Sequence, residues 1–217
     1  MMRIEQKILS CLLVLHCVAA VANPSTVYFN GDILTVEYLD GKLVMTDNII
    51  GTMTNDPAFS WHLQNIGNYA NLSGTDKKPM EFNSQKYFAA SSGNGLHGLP
   101  GSFLSPDRFI RASMFVINTP AATTDLQERR AWHIMNNFDI PFGAIHLDSS
   151  SGYGGGVNAY EFTEWTVVAN LKAKTYNIRS FENPSVLSVG FTEADKTVKR
   201  CARCHFSTNH EAQLKNV

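Results

Sequence analysis

Cysteine is scarce in this sequence: four in 217 residues, at positions 11, 17, 201 and 204, all near the ends. Cys11 and Cys17 fall in a stretch that reads as an export signal, which leaves only Cys201 and Cys204 in the mature chain; that is no disulfide framework. An excess of one charge is missing too. Lys and Arg number 18 against 19 Asp and Glu, a net charge of -1, which leaves no basic surplus for a phosphate backbone; no nucleic-acid partner is expected. The longest apolar run, Ile8 to Val21, is interrupted by Ser10 and His16 and falls short of the roughly 20 residues that span a bilayer, so no membrane span is expected. The histidines form no H-x-x-x-H or H-E-x-x-H pair, and no G-x-S-x-G string exists. Helical zinc protease and serine hydrolase signatures are therefore absent.

What is present is ordinary globular material, 44% hydrophobic and 17% charged, in a length that suits about one domain. The basic start, the apolar run and the small residues of Ala20-Val21-Ala22 read as an export signal over residues 1–22, cleaved before Asn23. A buried strand through Val14-Leu15 is the alternative. Residues 23–192 then form the folded domain, and 193–217 a basic, flexible tail. In that tail Cys201-Ala202-Arg203-Cys204-His205 has the spacing of a c-type haem attachment, and adding His210 gives a Cys/His set of the kind that holds zinc. The tail offers no apolar pocket, so a local disulfide or a pair of free thiols is the reading taken. No cofactor and no metal is assigned.

Alternation over Ile33–Leu39 and Lys42–Thr46, broken by Asp40-Gly41, predicts a hairpin with a two-residue turn. Asp56-Pro57 opens a helix over about 57–70, with Phe59, Leu63, Ile66 and Tyr69 or Ala70 on one face. Residues 73–101 read as a long loop with at most short strands near Lys86–Ala89. Ser105 serves as N-cap, with Pro106 in the first turn, of a helix striped by Phe109, Ala112, Phe115 and Val116. A third helix covers about 124–136, with Leu126, Arg130, His133 and Ile134 sharing a side. Ser149–Gly156 is a glycine- and serine-rich loop. Glu164–Leu171 and Thr175–Phe181 make a second hairpin. Two hairpins and three helices imply an α+β or layered α/β design, sheets covered on one face by helices.

Gly93-Asn94-Gly95-Leu96-His97-Gly98 satisfies G-x-G-x-x-G, yet Pro100-Gly101 would break the helix that a dinucleotide site requires. A tight loop is the better reading. His62 and His133 each follow a tryptophan on a predicted helix, and His97 and His146 stand alone in loops; all four read as structural or surface residues.

A set of short strings says more. Glu37-Tyr38 to Asp47-Asn48, Met53-Thr54-Asn55-Asp56-Pro57, Trp61-His62-Leu63-Gln64-Asn65, Gly98-Leu99-Pro100-Gly101, Arg108-Phe109-Ile110-Arg111-Ala112, Asn136 to Pro141 and Glu164-Trp165-Thr166 together resemble the choloylglycine hydrolase family of bile salt hydrolases and penicillin V acylases. The resemblance runs from about Asp32 to Asn183. It implies an Ntn-hydrolase-like αββα layered sandwich that cleaves non-peptide linear amide C–N bonds in a small-molecule substrate. In such enzymes an amino-terminal cysteine attacks the carbonyl and its own α-amine takes the proton, which suits a pKa of about 7.7 to 8.0. By the same resemblance Asn55, in the T-N-x-P string, donates its amide N–H to the oxyanion, and Arg108, in the S-x-x-R-F string, is the active-site arginine.

The sequence departs from the family in two places. Ser102 stands where an acid usually follows G-L-P-G, and the family's nucleophile region, which lies well upstream of T-N-x-P, has no counterpart: Cys17 lacks the context, and Cys201 and Cys204 lack a free α-amine. The expectation is the C-terminal portion of such an amidase, inactive alone, with the αββα sandwich incomplete. A truncated product, a non-catalytic relative, or a partner chain that supplies the nucleophile segment would each account for it; homo-oligomer assembly is also open. The alternative is an exported binding protein on the same scaffold, without chemistry.

Overall fold

The computed structural model describes residues 32–121, 124–147 and 159–190, with short strands at 11–12, 25–29, 203–205 and 213–215. The chain divides into two compact units, Leu15–Pro120 in one and Met1–Val14 with Ala121–Val217 in the other. The export signal expected over residues 1–22 and the loop Ser149–Gly156 lie outside the described residues, save for the strand Cys11–Leu12. So does the tail, save for a two-stranded pairing of Arg203–His205 with Gln213–Lys215.

The first unit is built on a three-stranded antiparallel sheet, β2 (Ser25–Phe29), β3 (Asp32–Leu39) and β4 (Lys42–Asp47), in that order. The β3–β4 hairpin is the one expected from alternation. Asp40 and Gly41 both take positive φ, 49° and 76°, the backbone of a type I′ turn whose twist matches the strands it joins. A helix α1 (Phe59–Asn65) continues as a 3₁₀ turn (Ile66–Tyr69), and Leu63, Ile66 and Tyr69 pack on a buried cluster of Met53, Phe59, Phe109 and Ile110. The expected stripe is therefore correct, but the start is not at Pro57: Ala58 is the N-cap and has no side-chain cap. The Glu37 carboxylate on β3 supplies it instead, accepting from the Phe59 N–H at 2.9 Å.

Helix α2 (Ser105–Asn118) is buried all round from Arg108 to Met114, with Phe109, Ile110 and Ala112 completely excluded from solvent. Its N-cap is Leu104, which puts Ser105 in the first turn rather than at the cap. The long loop before it holds a small hairpin, β5 (Met80–Phe82) with β6 (Gln85–Tyr87), slightly earlier than the strands expected there. The G-x-G-x-x-G string forms a 3₁₀ turn, Asn94–Leu96, not the strand-to-helix corner of a nucleotide site. Gly95 is needed by close approach, because a Cβ there would lie 2.2 Å from the Thr75 carbonyl oxygen.

The second unit carries an antiparallel sheet, β1 (Cys11–Leu12), β9 (Trp165–Asn170), β10 (Thr175–Ser180) and β11 (Leu187–Gly190). Helix α3 (Thr124–Met135) packs against β9. Its buried side is Ala131, Ile134 and Met135, with Phe138 just beyond. Of the residues expected to share a side, Ile134 is buried, whereas Leu126 and His133 are exposed. A separate pairing joins β7 (Ile145–Leu147) to β8 (Ala159–Glu161).

Candidate active site

The two expected site residues, Asn55 and Arg108, are 53 positions apart and meet directly. Arg108 Nη2 donates to Asn55 Oδ1 at 2.5 Å. Arg108 leaves the first turn of α2, is buried to 4% exposure, and its Nε donates to the Phe103 carbonyl at 2.9 Å. The guanidinium is thus held at two edges, which a planar fork allows and a lysine ammonium would not. Asn55 precedes the cis Asp56-Pro57 bond in the loop between β4 and α1, where its side chain is half-buried.

That one hydrogen bond settles which way the Asn55 amide points. The guanidinium only donates, so the amide atom against it must be the acceptor oxygen. Nδ2 is then the atom Arg108 leaves unengaged, and it makes no hydrogen bond among the described residues. The loop therefore presents a neutral N–H donor whose carbonyl end is polarised by a permanent cation, an arrangement that strengthens the donor.

The segment carrying Asn55 is pinned on both sides. Thr54 Oγ1 lies 3.2 Å from His62 Nε2 on α1, and the Asp56 N–H donates to Ser105 Oγ on α2 at 3.0 Å. His62 has no solvent exposure and stacks on Phe109, ring centroids 4.3 Å apart. Burial lowers its pKa from 6.5 to about 4; Arg108 adds to the drop, and the carboxylate and carbonyl of Asp56 with the Pro57 carbonyl oppose it. At neutral pH the ring is uncharged. Of the structural and surface roles expected for His62, its full burial fits the structural one, but nothing in the Trp61-His62 pair signalled its contact with the Thr54 hydroxyl.

Arg111, one turn beyond Arg108, is also buried. Its Nη1 donates to the Pro100 and Ser102 carbonyls at 2.8 and 3.1 Å, so it supports the loop whose next carbonyl, that of Phe103, holds Arg108. Burial lowers its pKa from the usual arginine value, Asp107 opposing and Arg108 reinforcing. Ser102, where an acid was expected, donates a hydrogen bond from its hydroxyl to Asp107 Oδ2 at 2.6 Å and accepts one from the Leu104 N–H. Among the described residues no group of three or more His, Cys, Asp or Glu side chains is placed to hold a metal, and no helix is long and apolar enough to cross a membrane. The motif Cys201 to His205, with His210, lies outside the side chains described.

Several known proteins are similar in sequence to this chain. An uncharacterised protein of Paramecium bursaria Chlorella virus 1 is 33% identical over 68% of this chain and 49% of its own length. A bile salt hydrolase/transferase of Clostridium perfringens is 29% identical over 73% of this chain and 46% of its own. The crystal structure of a mutant conjugated bile acid hydrolase from Clostridium perfringens superposes with a TM-score of 0.63 at 24% identity, covering 86% of this chain and 51% of that one. The chain spans about half the length of the relatives it matches, and its fold is the Ntn-hydrolase-like αββα type, in part. The model of the linear amide C–N hydrolases, choloylglycine hydrolase family, matches residues 16–199, and the chain belongs to that family.

Proposed function

We propose that this chain carries the oxyanion-binding part of a hydrolase of non-peptide linear amide bonds, with Asn55 Nδ2 as the donor and Arg108 as the group that aims it. The single observation that supports this is the 2.5 Å bond from Arg108 Nη2 to Asn55 Oδ1, which leaves Nδ2 free. When a nucleophile adds to an amide carbonyl, the oxygen gains charge, and a preset N–H is worth more to that oxyanion than to the neutral carbonyl. The cation behind the amide raises the benefit and favours any nearby thiolate.

The reading needs an attacking thiolate, and none of residues 33–121, 126–147 and 159–190 is cysteine. It is taken to come from outside these residues, in a preceding segment or a partner chain. Its thiol proton passes to an amine, sulfur bonds to the acyl carbon, and the C–N bond breaks with that proton delivered to the leaving amine. Water then cleaves the thioester to the free acid. The 217 residues by themselves are expected to bind such substrates without turnover. Conjugated bile salts, penicillin V and related N-acyl amides are the substrate class, and the Met1–Ala22 run supports an exported location.

The test uses protein produced in its native host, its intact mass and amino-terminal peptide recorded, then offered penicillin V, a glycine-conjugated bile salt and an N-acyl homoserine lactone. The expected result is release of free acid and amine from at least one, by material with an amino-terminal cysteine. Failure to cleave any of them would overturn the proposal.

A further inference from the structure

The loop that presents Asn55 is attached to α2 twice, and only one attachment touches the asparagine itself. Arg108 grips the Asn55 side chain; Ser105 grips the backbone one residue on, its Oγ accepting from the Asp56 N–H at 3.0 Å across 49 positions of sequence. Ser105 and Arg108 are three apart on one helix, so they share a face. Ser105 is not engaged at its own helix end: Leu104 is the N-cap and the cap has no side-chain hydrogen bond. Ser105 is buried, 9% exposed, and losing the contact would leave the Asp56 N–H to water. The remaining tie, Thr54 to His62, comes from a different helix and fixes the residue before Asn55.

We infer that Ser105 is a positioning residue for Asn55: by holding the Asp56 amide against the first turn of α2, it sets the backbone from which Arg108 then orients the amide. A guanidinium can fix only the end of a side chain. With the backbone loose, the same bond to Oδ1 is compatible with several directions of Nδ2. The consequence for catalysis rests on the function proposed above; the positioning does not.

The experiment measures hydrogen exchange of backbone amides and the side-chain amide resonances of Asn55 by NMR, on the 217-residue chain and its Ser105→Ala and Ser105→Thr variants. Ser105→Ala is expected to speed exchange of the Asp56 amide about tenfold and to shift the Asn55 Nδ2 protons, leaving amides from Ala112 to Phe115 at their original rates. Ser105→Thr keeps the hydroxyl and should restore both. Should Ser105→Ala fail to fold, Ser105→Cys keeps the volume with a weaker acceptor and is expected to show the same local acceleration. Unchanged Asp56 exchange, or equal acceleration throughout α2, would overturn the inference, the second because it marks a role in the helix as a whole. In the native-host enzyme Ser105→Ala should lower kcat about tenfold with little change in KM. If the NMR effects appear without that loss, the oxyanion role of Asn55 fails and the positioning stands.

Discussion

Acidification titrates a histidine that the fold keeps neutral. His62 is fully buried between Phe109, stacked at 4.3 Å, and the edge of Trp61, and burial is the main reason its pKa falls from 6.5 to about 4. Between those two values the unfolded chain binds a proton that the folded chain refuses, so stability rises with pH through the window. The contribution is complete above about pH 6.5 and is lost as pH falls to about 4. Its slope approaches 1.4 kcal/mol per pH unit mid-window, and the whole shift corresponds to about 3 kcal/mol. The assay is urea unfolding of the wild type and His62→Gln at intervals from about pH 7 to pH 4. Glutamine keeps a polar atom for Thr54 but cannot titrate, and the difference between the two curves cancels the carboxylates they share. The wild type should lose about 3 kcal/mol more than His62→Gln on acidification. A difference that stays flat, or one that moves in favour of the wild type at low pH, would refute the account of a desolvated ring.

Two other expectations follow from single contacts. Arg108→Lys keeps the charge but cannot serve both the Phe103 carbonyl and Asn55; amide hydrolysis by the native-host enzyme should drop about tenfold to a hundredfold, measured as kcat/KM, and a variant with full activity would show that the fork is dispensable. Gly95→Ala places a Cβ 2.2 Å from the Thr75 oxygen and 2.5 Å from that of Ser73, both on backbone that must shift, so thermal unfolding should report a loss of about 1–3 kcal/mol; an unchanged midpoint would contradict it.

Much of this molecule was legible because short-range signals agreed with the final structure. Asp40-Gly41 between alternating segments gave the β3–β4 turn, and the apolar spacing from Phe59 to Tyr69 gave the packed side of α1. The separate roles expected of Asn55 and Arg108 rested on the T-N-x-P and S-x-x-R-F strings; that the two side chains bond to each other across 53 positions was not legible there, since neither string sets a contact with the other. What escaped was long-range by nature. Glu37 caps α1 from another strand, and Ser105 forgoes its own helix end for the amide of Asp56; both are locally plausible as something else, a surface acid and an N-cap. On α3 the expected side included the buried Ile134 but missed Ala131 and Met135, because an alanine adds little apolar weight to a periodic pattern and a methionine is an adaptable gap-filler. The β5–β6 hairpin was placed late because its residues are all exposed and carry no burial pattern to mark the strands.

The central claim is that Asn55 stabilises charge on a substrate carbonyl oxygen. Its most direct measurement compares kcat for hydrolysis of a linear amide by the native-host enzyme and its Asn55→Ala variant, with KM recorded alongside. The account predicts a fall of about 10²–10³ in kcat and a small change in KM, as for the loss of one preset oxyanion donor. An Asn55→Ala enzyme that keeps its kcat would contradict it.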